Sequence, residues 1–234
     1  MRCNRAGLAA ATLISLLLYY ITDRTQLADE EAHRRRRLLD KIAEAASAGV
    51  DYIQLRERDL TVRELERLAI EAIARVRTST TRLLINSRVD VALAIDADGV
   101  HLRSHDLAAS EARAIWGKST GRTNCVIGVS CHSLNQVLSA EAHGADFAVF
   151  GPVFGKQGSN QPPIGMDALE AVASRGNPVD KKVEAGQTLG MPVLALGGVT
   201  LENARACVEA GAAGVAGIRL FQESDIARVV ARLR

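Results

Sequence analysis

Side chains that could handle an anion are concentrated in a few short stretches of the 234-residue chain. Gln54-Leu55-Arg56-Glu57-Arg58 sets two guanidinium groups one residue apart beside a glutamine, and Asn86-Ser87 closes another apolar run. Arginine presents a planar fork of donors to phosphate oxygens, so this combination suits a phosphate or a diphosphate. Arg56, Glu57 and Arg58 could equally satisfy one another as rim salt bridges, and residue types alone leave both readings open. Toward the C-terminus, Gly197-Gly198 and Gly217-Ile218-Arg219 make two glycine turns with an arginine beside the second. Backbone N–H groups at such turns can face an anion. The natural general acid or base is His132, in Ser130-Cys131-His132-Ser133, because imidazole ordinarily titrates near neutrality. Ser133 also reads as the cap of a following helix. His105 is a weaker candidate of the same kind, and His101 is expected to pack within or beside a strand.

These stretches share a position, the end of a short apolar run, and the runs recur with a common phrase. Ala45 to Gly49 precedes Val50-Asp51-Tyr52-Ile53-Gln54, Ala142-His143-Gly144 precedes Ala145 to Phe150, and Glu209-Ala210-Gly211 precedes Ala212 to Ile218. Each glycine stands where a helix must stop in a left-handed conformation before the chain turns into a strand. With Leu16 to Ile21, Leu83 to Ile85, Gly99 to Leu102, Val126 to Val129 and Pro192 to Leu196 there are eight candidate strands. Helical patterns alternate with them, such as Val62, Leu65, Leu68, Ala69 and Ala72 with charges on the other face. Strict alternation predicts a parallel sheet with right-handed crossovers. Eight units, with no GxGxxG after an early strand, predict an α/β protein folded as a single (β/α)8 barrel. In that fold ligands sit at the C-terminal ends of the strands, where the polar stretches lie. The reading places the barrel at 15–234, a tail or short extra helix at 1–14, and an enlarged connection on the rear face at 174–190.

Composition limits the alternatives. Hydrophobic residues make up 47% and charged residues 24%, enough for a sizeable core, while aromatics at 3% imply a core filled by Ala, Val, Ile and Leu. A formal net charge of +2 gives no case for nucleic acid. The basic run Arg34 to Arg37 sits between acidic and apolar residues and reads as a solvated helix face. Cys3, Cys125, Cys131 and Cys207 have no metal-ligand spacing, which fits reduced thiols in a cytoplasmic protein. Gly7 to Leu18 after Arg2 and Arg5 imitates a signal peptide, but no small-x-small cleavage site follows and the run continues into the first strand. It is also too short and too soon charged for a membrane span.

Tyr20 to Arg24, Gln54 to Arg58, Asn86 to Ala94, Asp98 to Leu102, Gly128 to Ser133, Gly151 to Phe154 and Leu196 to Val199 resemble, in order, the successive blocks of the thiamine phosphate synthase/TenI family. The resemblance covers about residues 18 to 232. It implies a synthase that joins hydroxymethylpyrimidine diphosphate to thiazole phosphate and releases pyrophosphate with the help of Mg2+. It further implies that Gln54, Leu55, Arg56, Glu57, Arg58, Asn86 and Ser130 contact the pyrimidine diphosphate. Gly198, Ile218 and Arg219 would hold the thiazole phosphate, and Asp106 with Ser87 would lie at the metal. Ser130 and His132 are the catalytic candidates.

Three departures stand out. The family's Asn-Asp pair is Asn86-Ser87 here, Gly155 to Asn160 lacks the two threonines of the strand-six loop, and Arg103 to Asp106 keeps only the aspartate of its block. One carboxylate with the substrate diphosphate could still hold Mg2+ at lower affinity, and Arg103 and Arg219 could stand in for metal charge. The alternatives are a TenI-like thiazole tautomerase, with His132 moving a proton and no metal, and a non-catalytic barrel that binds thiazole phosphate or thiamine phosphate. Partners are therefore small phosphorylated molecules, with a membrane and nucleic acid excluded and a homo-oligomer left open.

Overall fold

The eight apolar runs form eight parallel strands: β1 (Leu17–Ile21), β2 (Tyr52–Leu55), β3 (Arg82–Asn86), β4 (Gly99–Leu102), β5 (Val126–Cys131), β6 (Phe147–Phe150), β7 (Val193–Leu196) and β8 (Gly214–Gly217). Each pairs with the next, and β8 closes on β1 with Leu18 opposite Val215, so the sheet is a closed barrel. The computed structural model describes residues 16–28, 30–155, 162–174 and 190–234. The expected tail at 1–14, the loop from Lys156 to Asn160 and nearly all of the connection at 174–190 lie outside the described residues.

Helices α1 (Glu31–Ala48), α2 (Val62–Val76), α3 (Val89–Ala94), α4 (Ala109–Thr120), α5 (Leu134–Ala142), α6 (Met166–Ala173), α7 (Ala204–Glu209), α8 (Arg219–Gln222) and α9 (Ile226–Leu233) cover the barrel. Their limits are local. Thr61 and Glu64 close a capping box on α2, and α1 stops at Gly49 with φ +83, a conformation glycine takes without steric cost. The stripe Leu65, Leu68, Ala69, Ala72 and Val76 turns to the sheet. Arg35 pairs with Glu71 and Arg37 donates to the Leu27 carbonyl, so the basic run is a helix face held by neighbours.

Alternation along each strand divides the core in two. Leu18, Tyr20, Ile53, Leu55, Leu83 and Ile85 pack outward against helices, whereas Tyr19, Leu84, Val126, Phe147, Val149, Leu194 and Ala216 fill the barrel. The even strands β2, β4 and β6 are preceded by Asp51, Asp98 and Asp146. Each accepts a backbone N–H from the preceding odd strand, at Leu18 (2.8 Å), Leu83 (2.8 Å) and Ile127 (2.7 Å). The aspartate ahead of each of these strands thus ties the N-terminal rim, leaving the opposite rim for chemistry.

The interior differs from expectation. Composition pointed to a core short of rings, yet Tyr52 and Phe147 stack there with centroids 5.1 Å apart, and Tyr19 meets Phe147 edge-on at 5.3 Å. Three rings, Tyr19, Tyr52 and Phe147, thus meet inside the barrel while Tyr20, Trp116, Phe150 and Phe221 pack in the outer layer, and glycine makes the interior space. A Cβ at Gly128 would lie 2.5 Å from Phe147 and 2.9 Å from His101 Nδ1.

Candidate active site

Gln54 projects inward from β2 and is 1% exposed, and its Nε2 donates to Tyr19 Oη at 3.0 Å. Tyr19 Oη lies 3.1 Å from His101 Nδ1, and His101 Nε2 lies 2.8 Å from Ser130 Oγ near the end of β5. A continuous row of polar atoms therefore links two residues expected to contact substrate, across the top of an otherwise apolar interior. His101 is fully enclosed. Burial, and then the charge of Arg56, drive its pKa down to about 3 against the pull of Asp106. Arg56 follows directly on β2 and Asp106 reaches Ser87 directly after β3, so both stand at this same rim. The strand-four histidine sits as expected, while its bridging role depends on which inward side chains meet across the barrel, which no local pattern shows.

The acid limb of stability follows. The imidazole binds no proton when folded until the pH nears 3 but binds one when unfolded below about 6.5, so stability is full above the unfolded value and lost as pH falls. The expected slope is about 1.4 kcal/mol per pH unit across that window. Urea titrations between neutrality and acid pH check it. His101→Gln should flatten the limb by about one proton, and an unchanged slope would contradict the assignment.

The residues of the β2 end divide sharply. Leu55 is buried in the outer core, away from the mouth. Glu57 is also buried, and its carboxylate turns back to accept from the Thr22 hydroxyl at 2.5 Å, the Arg24 N–H at 3.0 Å and the Arg24 guanidinium at 3.2 Å. Burial, the largest influence, raises the Glu57 carboxyl above the usual range despite these partners. Arg24 also makes a two-pronged contact with Asp59 at 2.7 and 3.0 Å. Thr22 in turn accepts from the Arg56 backbone N–H at 3.0 Å. Thr22, Arg24 and Glu57 thus form a clasp that fixes the loop carrying half-buried Arg56 and exposed Arg58. Glu57 serves the loop through this clasp rather than facing the mouth. Thr22 and Arg24 were legible only as part of a block, since nothing in their spacing shows a clasp across 33 residues.

At the β3 end, Asn86 Nδ2 approaches Ser87 Oγ at 3.3 Å, and Ser87 donates to Asp106 at 2.7 Å. Ser87 holds φ +59, its N–H anchored on the His101 carbonyl at 2.8 Å. Asp106 is fully engaged. One oxygen accepts from Arg103 Nε and Nη2 at 3.1 and 2.9 Å, the other from the Arg103 backbone N–H at 2.8 Å and from Ser87. Burial would raise its pKa, but the bonds from Arg103 and Ser87 outweigh burial and hold it below the usual carboxylate range. Mg2+ demands several free hard oxygens in near-octahedral array. The Ser87–Asp106 pair comes together, but its oxygens are taken by a guanidinium, and among the described residues no three His, Cys, Asp or Glu side chains form a metal cluster. As arranged, this donor set does not fit Mg2+. A cleft of about 170 Å3 opens here, lined by Arg103, Asp106, Ser130 and His143 among others. A larger cavity of about 360 Å3 lies at the N-terminal rim, around Arg82, Asp98 and Trp116, away from the strand ends that carry chemistry in this fold.

His132 is exposed, with Nδ1 2.5 Å from the Gly151 carbonyl oxygen. A carbonyl only accepts, so Nδ1 carries the proton and Nε2 of the neutral ring is the free acceptor. His105 is exposed and, among the described residues, shows no comparable anchor. Across the mouth, Gly197 and Gly198 take φ +94 and +65. Val153 and Phe154 donate to the carbonyls of Leu196 and Gly197 at 2.8 and 2.9 Å, and Asn203 Nδ2 donates to the Gly198 carbonyl at 2.9 Å. Ile218 packs at the top of the interior core and half-buried Arg219 begins α8.

Comparison with known proteins agrees with this geometry. Residues 18–221 match the family model described as thiamine monophosphate synthase. A thiamine-phosphate synthase of Chlorobium luteolum is 36% identical over 196 residues, 83% of this chain and 84% of that protein. One of Chloroflexus aurantiacus is 32% identical over 229 residues, covering 96% and 94%. The solved structure of a thiamine phosphate pyrophosphorylase from Pyrococcus furiosus superimposes with a TM-score of 0.71 at 31% identity, covering 94% of each chain. A family-model match over most of the barrel, together with relatives above 30% identity along nearly their whole length, shows that the chain belongs to the thiamine monophosphate synthase family.

Proposed function

We propose that the protein is a thiamine-phosphate synthase, a transferase that couples hydroxymethylpyrimidine diphosphate with thiazole phosphate. The observation that carries this reading is the convergence of Gln54, Asn86, Ser130 and Arg56 on one barrel mouth, opposite the Gly197-Gly198 turn. A mouth with an amide and hydroxyl group on one side and a glycine turn on the other suits two phosphorylated partners held face to face. The thiazole nitrogen gives its lone pair to the pyrimidine methylene carbon, forming C–N as C–O breaks, and the bonding pair leaves on pyrophosphate.

Charge is the chief requirement of such a step. Arg56, assisted by Arg58 and Asn86, faces the diphosphate and stabilises the charge it gains. Gln54 and Ser130 fix the pyrimidine, and the Gly198 turn with Ile218 and Arg219 holds the thiazole phosphate. Alignment of the two substrates within contact distance supplies much of the remaining acceleration. The free thiols of Cys125, Cys131 and Cys207 support a cytoplasmic setting, and among the described residues no helix is long and apolar enough to cross a membrane.

One observation favours a second reading. The Gly151 carbonyl orients His132 with Nε2 available, as a thiazole tautomerase would need. The deciding experiment combines hydroxymethylpyrimidine diphosphate with thiazole phosphate, follows pyrophosphate, and in parallel tests isomerisation of thiazole carboxylate phosphate. We expect pyrophosphate release, with His132→Gln reducing it by less than about tenfold because no ring proton must move. A loss of ~10²-fold or more in isomerisation by the same variant, without pyrophosphate from the unmodified protein, would establish the tautomerase instead.

A further inference from the structure

The row Gln54, Tyr19, His101, Ser130 has a direction. Gln54 Nε2 is a donor only, so Tyr19 Oη accepts from it at 3.0 Å, and the buried hydroxyl hydrogen has one further partner among the described residues to go to, His101 Nδ1 at 3.1 Å. An Nδ1 that accepts leaves the neutral ring its proton on Nε2. That N–H lies 2.8 Å from Ser130 Oγ and donates to it. Ser130 has then filled one acceptor site from inside the barrel, and its hydroxyl hydrogen is left for whatever stands in the mouth. Were the row reversed, Ser130 would spend its hydrogen on His101 and offer substrate only lone pairs. These two states make opposite demands on a ligand.

We propose that His101 is a positioning residue, held by Tyr19 as the Nε2–H tautomer, that fixes Ser130 as a hydrogen-bond donor to an acceptor atom of the pyrimidine diphosphate. The inference rests on the synthase reading for the ligand's identity but not for the tautomer. Tyr19 and His101 are 0% and 2% exposed, and water does not scramble the row. Gly128 is part of the device, since any side chain there would enter the space of His101 and Phe147. The row has no buried polar side-chain atom without a partner to reorient it, and none occurs among the described residues. Reversal would require the Gln54 amide, the Tyr19 hydroxyl and the His101 proton to change together, a cooperative cost that a single bond does not carry.

The experiment has a spectroscopic arm and a kinetic arm. In protein labelled with 15N-histidine, long-range 1H–15N correlation without substrate should give His101 a protonated Nε2 and a bare Nδ1 at neutral pH. A protonated Nδ1 would overturn the proposal. In the kinetic arm, Tyr19→Phe should raise KM for the pyrimidine diphosphate about tenfold, the scale of one hydrogen bond to a charged ligand, with little change in KM for thiazole phosphate. Combined with Ser130→Ala it should cost no more than Ser130→Ala alone, because both act through the same hydroxyl. His101→Gln, whose amide has one accepting and one donating end, should retain affinity that His101→Leu loses. Additive losses, or a fall in Tm with both KM values unchanged, would reduce the row to a structural role and sink the proposal. An unmodified protein that makes no pyrophosphate would take down the synthase reading instead, and the spectra would still decide the tautomer.

Discussion

Arg56→Ala is expected to lower kcat/KM for pyrophosphate release by ~10²- to 10³-fold, the range seen when one preorganised donor to a developing charge is removed. The reason lies in its half-buried setting. Burial, and then the neighbouring Arg58, lower the Arg56 pKa against the opposing pull of Asp23 and Glu57, so the guanidinium is short of solvent and crowded by a like charge. A diphosphate relieves both deficits, and it does so most when bond breaking has added charge to the leaving oxygen. Arg58 is exposed, and water already serves it. Arg58→Ala should therefore cost about tenfold or less, with a larger share lost at high salt. Arg56→Lys should recover little, because a point charge cannot reproduce the two-pronged grip. Steady-state pyrophosphate assays on the three variants check the order, and an Arg56→Ala enzyme within threefold of the parent would remove Arg56 from the diphosphate site.

Gly198→Ala should abolish the preference for thiazole phosphate over its unphosphorylated alcohol, a preference expected to be ~10²-fold or more in the parent by titration calorimetry. Two penalties coincide at this residue. Its φ of +65 is costly for any side chain, and an added Cβ would stand 2.7 Å from Phe154 Cβ and 2.9 Å from the Gly155 carbonyl oxygen. The strand-six loop and the turn after β7 would have to separate, moving backbone donors by a distance on which oriented binding depends. Gly144→Ala is the matched control. Its φ is +75, yet nothing lies within 4 Å of the added carbon, so it should cost about 1 kcal/mol of stability and leave ligand discrimination intact. Equal affinities for phosphate and alcohol in the parent would place the thiazole phosphate elsewhere.

Much of the site was legible along the chain because a barrel converts sequence position into spatial position. Residues ending the β-rich runs must gather at one rim, so Gln54, Arg56, Asn86, Ser130 and Gly198 could be grouped before any contact was known. The direction each side chain takes was not legible from that rule. Arg56, Glu57 and Arg58 are successive and all polar, but Glu57 turns back onto Thr22 and Arg24 while Arg56 stays at the mouth. Asp106 and Ser87, grouped as metal-side residues, meet at 2.7 Å as a hydrogen-bonded pair, whereas the guanidinium that saturates Asp106 comes from three residues earlier in the same loop. A loop's hydrogen bonds are chosen among many near-equal local pairings, and only the surrounding walls select one.

Period and punctuation alone determined the eight-unit barrel. Alternating apolar runs must be buried on both faces, and glycines after helices permit the left-handed stop that returns the chain to the sheet. The order of the strands follows from short right-handed crossovers, so local patterns were enough. The tertiary structure alone decided the interior. Tyr19, Gln54, His101 and Ser130 belong to four strands, separated by up to 82 residues along a single bond, and nothing local favours their meeting. Barrel closure sets strand stagger, and stagger determines which inward side chain faces which across the lumen. The space left by Gly128, the tautomer of His101 and the donor direction of Ser130 are consequences of that closure.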